Sequence, residues 1–212
     1  ATFCFACFET TLGLLVSRRQ RRQAQQELEE NLRIGRLVAA MEAAFREVKP
    51  EQLDEQVDTW LERLARTLDA ERAALSLISP DGGTLVVPFR WAHPWIRPLP
   101  PELPSSLFPR TYELIEGGHV VAFSRTVDSA PPGTPDRAFF TSLGTRSFVL
   151  VPLFHEATAL GCLTFSTVTR ERAWPLGLVS ELQLAAGIFA AALGREREAK
   201  AALKDEAFTS AM

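Results

Sequence analysis

The hydrophobic period of this chain changes twice, and those two changes constrain its fold more than any other feature. Up to Leu68 apolar residues recur at helical spacing. From Ala73 to Val168 they form short strand-like blocks separated by turns, and from Pro175 the helical spacing returns. Gln23 to Val48 is rich in Gln, Glu, Ala, Leu and Arg, which favour helix. Leu28, Leu32, Leu37, Met41, Phe45 and Val48 make an irregular apolar stripe along it, and Pro50 ends it. A second helix is predicted from about Glu51 to Leu68, burying Leu53, Val57, Trp60, Leu61, Leu64 and Leu68.

Two hairpins follow from the middle section. Ala73 to Ser79 and Thr84 to Trp91 read as strands about the turn Pro80-Asp81-Gly82-Gly83. Ser147 to Phe154 and Leu160 to Val168 read as a second pair joined by His155 to Thr158. Between the pairs, the proline-rich stretch Ala92 to Pro109 is expected to be a fixed loop. Leu107 to Glu116 is a short helix closed by Gly117-Gly118, Val120 to Phe123 a short strand, and Asp128 to Pro135 another loop. Asp136 to Leu143 is a short helix with Asp136 at or near its N-cap and Gly144 as its stop. A long helix runs from Pro175 to about Leu203, and Leu178, Val179, Leu182, Ala185, Ala186, Phe189, Ala190 and Leu193 form its apolar face. The order implies an α+β fold: a central antiparallel sheet, helices on one face, loops and short helices on the other, and long helices at both ends.

The flanks point to a membrane. Ala1 to Val16 carries one charge, Glu9, and the chain begins inside this apolar run, so it is read as a piece of something longer. As a helix the run spans about 24 Å, short of the ~30 Å hydrocarbon core, which suits the inner end of a spanning helix. Arg18, Arg19, Arg21 and Arg22 follow directly. Basic residues there meet anionic lipid and orient the rest of the chain into the cytoplasm, at the inner face of the cytoplasmic membrane. The expected organisation is a partial transmembrane helix over 1–16, a basic juxtamembrane and linker helix over 17–34, a sensor domain over 35–197, and a linker helix over 198–212.

Particular residues carry a family resemblance. Leu143-Gly144-Thr145-Arg146-Ser147, followed by a strand ending in Val151-Pro152-Leu153, resembles a pattern of GAF domains. Leu160-Gly161-Cys162-Leu163-Thr164-Phe165 is similar to that family's next strand, with glycine near its start. Ala173-Trp174-Pro175 before an apolar helix is similar to its closing element, and Glu71 to Leu77 to its first strand. The resemblance covers about Ile34 to Arg197. The apolar stub, arginine cluster and Gln/Glu/Leu helix resemble the juxtamembrane segment of bacterial sensor histidine kinases. The resemblance implies a sensory domain without catalysis of its own, working in a two-component kinase. The alternatives are a dimerisation spacer that binds nothing, or a regulator of another output such as a cyclase or a transcription activator. No phospho-accepting histidine box or glycine-rich ATP-binding box occurs in these residues, so kinase chemistry would belong to another part of the parent protein.

Other chemistry is thinly represented. The net charge of -3 offers no general basic surface, so no nucleic-acid partner is expected. Three cysteines are too few for a disulfide framework. Cys4 and Cys7 have C-x-x-C spacing but no further ligands nearby, and Phe3, Phe5 and Phe8 around them suit a lipid-facing helix. Cys162 reads as a small core hydrophobe. Neither a bilin-holding cysteine motif nor the cyclic-nucleotide signature of some GAF domains is found, and Cys162 has no resolving partner for methionine sulfoxide chemistry. His155-Glu156-Ala157-Thr158-Ala159 lacks the second histidine of a zinc-protease helix. No cofactor or metal is expected.

The remaining candidate is a small-molecule pocket. Trp91, Trp95, Phe108, Tyr112, Phe123, Phe139 and Phe140 fall in or beside the loops and short helices, where GAF domains form their ligand site. Apolar walls with a few polar groups suit such a pocket. His93 lies between the two indoles, and Arg125 and Arg146 are candidates for its positive group. Helical patterning runs past both domain edges, so a homodimer through the N- and C-terminal helices is expected to relay a bound ligand or a membrane-side movement.

Overall fold

The computed structural model describes the backbone of residues 2–210 and the side chains of residues 20–22 and 24–203. Two helices open the chain, α1 (Thr2–Arg46) and α2 (Leu53–Thr67), joined through a 3-10 turn at Pro50–Gln52. Then come β1 (Arg72–Ile78), β2 (Thr84–Ala92), β3 (Glu102–Pro104), α3 (Pro109–Glu116), β4 (Val121–Phe123) and α4 (Pro135–Ser142). The last hairpin, β5 (Ser147–His155) and β6 (Thr158–Thr167), leads into α5 (Leu176–Ser210). The strands form one sheet in the order β3-β2-β1-β6-β5-β4, and every pairing is antiparallel.

The centre of the sheet is the β1–β6 ladder, running from Arg72 opposite Ser166 to Leu77 opposite Gly161. Alternation along these strands sorts the side chains onto two faces. Ala73, Leu75, Val149, Val151, Leu163 and Phe165 turn towards α1, α2 and α5, and pack with Trp60, Leu64, Leu182 and Phe189 in the larger core. Ala74, Leu85, Phe148, Leu150 and Cys162 turn the other way and pack with Phe108, Tyr112, Ile115, Phe123 and Phe140 in the smaller one. The expected two-sided arrangement is therefore present.

Four local features differ from expectation. The stretch 92–109 contains β3, because prolines tolerate an edge position where no ladder donor is needed. The Pro101 carbonyl accepts from the Val87 amide at 2.7 Å on that edge. Helix α1 is continuous from Thr2 through the arginine cluster, since no proline interrupts it and its two glycines, Gly13 and Gly35, stand singly among good helix formers. Its buried face is only partly the expected one: Met41 and Phe45 are buried as expected, but Ile34 and Val38 complete the stripe, whereas Leu28 and Leu32 are 58% and 52% exposed. On a 3.6-residue turn these leucines point roughly 140° away from the core stripe. Leu37 and Val48 are partly buried beside it.

The fourth difference is Asp136. The N-cap of α4 is Thr134, whose hydroxyl accepts from the Arg137 amide at 3.4 Å. The buried Asp136 carboxylate reaches across to α3, accepting from the Thr111 amide at 2.7 Å, the Thr111 hydroxyl at 2.6 Å and the Arg110 amide at 3.3 Å. It thus caps a helix that begins with Pro109 and has no cap of its own. Asp136→Ala would leave these donors unpaired, and a loss of about 2–3 kcal/mol is expected in urea unfolding, with the slope unchanged. Asp136→Asn keeps one acceptor oxygen and should lose less.

Among the described residues one helical segment, Leu176–Leu203 of α5, is long and apolar enough to cross a membrane by length and composition alone. Half of its most apolar window is buried inside the fold, against β5 and α1. Here it serves as the core helix of the domain.

Candidate functional site

A cavity of about 40 Å³ lies between the sheet and the loop layer. Its floor comes from β1, β5 and β6, and its roof from α3, α4 and the segment around Leu99 and Leu103. The roof is held in register by the Asp136 cap and by Tyr112, whose hydroxyl donates to the Gly82 carbonyl at 2.6 Å and ties α3 to the first hairpin. Aromatic packing fills the sides: Phe108 stacks on Phe139 at 4.8 Å between centroids, and Phe140 lies 4.9 Å from Phe148.

The floor is polar along one line. Arg72, Ser76, Thr164 and Ser166 all line the cavity, as do Thr111 and Thr145 from its rim. Arg72 faces Ser166 across the ladder, and Ser76 faces Cys162. The Thr164 hydroxyl donates to the Ala74 carbonyl at 3.3 Å, which spends its proton locally.

Arg72 is the unusual member, at only 3% exposure. Its Nη2 donates to the Leu143 carbonyl at 2.8 Å, at the C-terminal end of α4. Its Nε is buried with no hydrogen-bond partner. The adjacent Glu71 carboxylate points elsewhere, accepting from the Thr169 amide at 2.8 Å and the Val168 amide at 2.5 Å. Burial pushes the Arg72 pKa down, with the Glu71 charge opposing it. Arginine starts so high that the guanidinium still keeps its proton. Burial also pushes the Cys162 thiol up to about 12, against a hydrogen bond with Ser76. A thiol held protonated in this way is a poor nucleophile.

The residues expected to form a pocket separate into three groups. Phe108, Phe139 and Phe140 line the cavity. Tyr112 and Phe123 belong to the same core but stand behind its walls, Phe123 lying 5.0 Å from Phe140 and 5.5 Å from Phe148. Trp91, His93, Trp95, Arg125 and Arg146 lie elsewhere. Trp91 packs against the helix-side core with the Arg66 guanidinium 5.3 Å over its ring. His93 is half-buried with Nδ1 unpartnered, and its ring sits 3.4 Å from that of Trp95, which is 70% exposed. Arg125 makes a two-pronged pair with Asp128 at 2.9 and 3.0 Å, and shares an outer surface groove with Arg146. For Trp91 the physical reason is strand parity, since β2 turns Phe89 and Trp91 towards the helices; His93, Trp95, Arg125 and Arg146 lie in loops outside the strands.

Arg72, Ser76, Thr111, Thr145, Thr164 and Ser166 were not among the expected site residues. Their signal was present in the alternation: Arg72, Ala74 and Ser76 share one face of a strand, and Cys162, Thr164 and Ser166 one face of its partner. Arg21 and Arg22 are exposed. The side chains of Arg18, Arg19, Cys4 and Cys7 lie outside the described residues. Among the described residues no three His, Cys, Asp or Glu side chains converge in a way that would hold a metal ion.

Comparison with known proteins agrees with this geometry. The family model of the GAF domain matches residues 52–196. The "Methanogenesis regulatory histidine kinase FilI" of Methanothrix harundinacea (strain 6Ac) is 29% identical over 180 residues, 79% of this chain. The match spans only 20% of that relative's length. Among solved structures, the phycocyanobilin-bound GAF domain of a cyanobacterial phytochrome superposes with a TM-score of 0.65 at 17% identity, covering 77% of this chain and 94% of that one. The free methionine-R-sulfoxide reductase of Neisseria meningitidis, in complex with its substrate, gives 0.60 at 16% identity, covering 77% and 89%. The GAF domain region of a putative membrane protein from Geobacter sulfurreducens PCA gives 0.52 at 18% identity, covering 68% and 93%.

Proposed function

The chain belongs to the GAF domain family, and on that premise we propose that it is the sensory module of a membrane-anchored two-component histidine kinase. The kinase assignment rests on the likeness to a regulatory histidine kinase, of which this chain matches about a fifth. The anchor rests on the apolar run 1–16 and the arginines behind it, with the sensor domain taken as 35–197 in the cytoplasm. Its ligand site is the loop-side cavity.

The output route is helical. We assign α1 and α5 to a homodimer seam, and one observation carries this. Leu28, Leu32, Gly35 and Ala39 follow each other at four-, three- and four-residue steps on the face of α1 turned away from the core. Gly35 and Ala39 open onto a surface groove beside Leu184, Gly187 and Ala191 of α5. Leu184 is 60% exposed, and the space above Gly187 is open. A seam of this spacing is the pattern by which helices pair.

Disulfide trapping tests it. In a chain with Cys4 and Cys7 changed to serine, Leu28→Cys is expected to form a covalent dimer rapidly on mild oxidation. Glu29→Cys, about 100° round the helix, should do so much more slowly. Equal rates at both positions, or no dimer at either, would overturn the seam.

A further inference from the structure

We propose that the loop-side cavity is a receptor site for a small monovalent anion, a carboxylate or planar oxyanion of a few heavy atoms, with Arg72 as its counter-charge. The proposal rests on the reading of that cavity as the ligand site and narrows the ligand to a chemical class.

The first ground is charge balance. A guanidinium at 3% exposure is expensive to keep ionised unless an opposite charge or a full set of hydrogen bonds accompanies it. Among the described residues Arg72 has no ion-pair contact and an incomplete set of hydrogen bonds: one nitrogen meets the Leu143 carbonyl, Nε meets nothing, and the Glu71 charge acts on it only from a distance. The end of α4 supplies at most about half a negative charge through its carbonyls. Glu71, the nearest acid in sequence, spends its carboxylate on the amides of Val168 and Thr169.

The second ground is the site itself. The cavity into which Arg72 opens has the size for about three waters, which is also the size of formate, nitrate or acetate. Ser166 stands opposite Arg72 on the neighbouring strand, and Ser76 and Thr145 face the same space. Hydroxyl and guanidinium donors around a small, partly sheltered volume suit an acceptor-only ligand. The apolar remainder, from Phe108, Phe140 and Leu150, excludes water and strengthens each of these interactions. An anion held here would touch both central strands and the end of α4, so its arrival would tighten the roof on the sheet.

The experiment is thermal melting of the full chain at constant ionic strength, with gluconate, too large for the cavity, as the background anion. Nitrate, formate and acetate are the probes, and formamide and acetamide their neutral counterparts. A saturable rise is expected for at least one anion, about 3–6 °C at ten times its dissociation constant, and none for the amides. Arg72→Gln should remove the response. If the amides stabilise the wild type as well as the anions do, the cavity binds small molecules without charge selection. The anion inference then fails while the ligand-site reading stands. If neither series has an effect, both fail. Bromide provides a measurement that needs no variant. Its anomalous signal is expected within hydrogen-bonding distance of Arg72 Nε in wild-type crystals, and bromide found only on the outer surface overturns the proposal.

Discussion

Gly161→Ala should prevent this domain from folding, or destabilise it by more than about 4 kcal/mol, at the upper end of what single substitutions do. Gly161 sits in β6 opposite Leu77, at the centre of the sheet. A Cβ placed on it would run into the carbonyl of Ser76 and lie 2.8 Å from the Cα of Leu77. Both obstacles are backbone, so no side-chain rotation relieves them. The strands would have to part, and with them the floor of the cavity and the sheet face that α5 covers. Urea unfolding followed by far-ultraviolet circular dichroism reads the effect. A variant that folds with less than about 1 kcal/mol lost would mean that β1 and β6 do not meet in this register.

Phe140→Ala carries the next largest expected effect, about 3–5 kcal/mol. Phe140 is 2% exposed and touches three other rings, with centroids at 5.0 Å for Phe123, 5.6 Å for Phe139 and 4.9 Å for Phe148. It also forms part of the cavity wall, so truncation joins a new void to an existing one. An enlarged apolar space of that kind takes up small aromatic molecules. Benzene should therefore restore part of the lost melting temperature in the variant and leave the wild type unchanged. A loss below about 1 kcal/mol would show that the loop layer collapses freely onto the sheet, which is incompatible with a preformed receptor site.

What could be read from the sequence divides by the kind of signal involved. Strands and helices with strong periodicity were legible, because each buries one face: β1, β5 and β6, and the stripe from Leu178 to Leu193 on α5. The turn at Pro80 to Gly83 and the glycine stops were legible because backbone geometry demands those residues. Strand β3 was not, since three residues, the last of them Pro104, have no period to detect. The aromatic lining was half legible. Aromatic residues announce packing, but only the pairing register decides which face they reach. That register sends Trp91 to the helices while α3 and α4 deliver Phe108, Phe139 and Phe140 to the cavity. Arg72 was missed for a related reason: a charged residue at a strand's first position usually marks a solvated end, whereas here the end of α4 folds over it. Asp136 stands near the start of α4, as its place in the sequence predicts, but the bond its carboxylate makes is to α3, 25 residues away in the chain, which local sequence does not reveal.

The two-sided character of α1 restricts how this molecule can move. Ile34, Val38, Met41 and Phe45 are gripped by the domain, and the ion pair from Glu30 to Arg172 and the bond from Arg33 to the Thr67 carbonyl pin the same stretch from two sides. Twisting the helix by one residue, about 100°, would swing Glu42 and Arg46 into the apolar interior and bring Phe45 out to water. The packing therefore opposes any turn of this stretch about its own axis within the domain, so that rotation of α1 would carry the sheet and α5 with it.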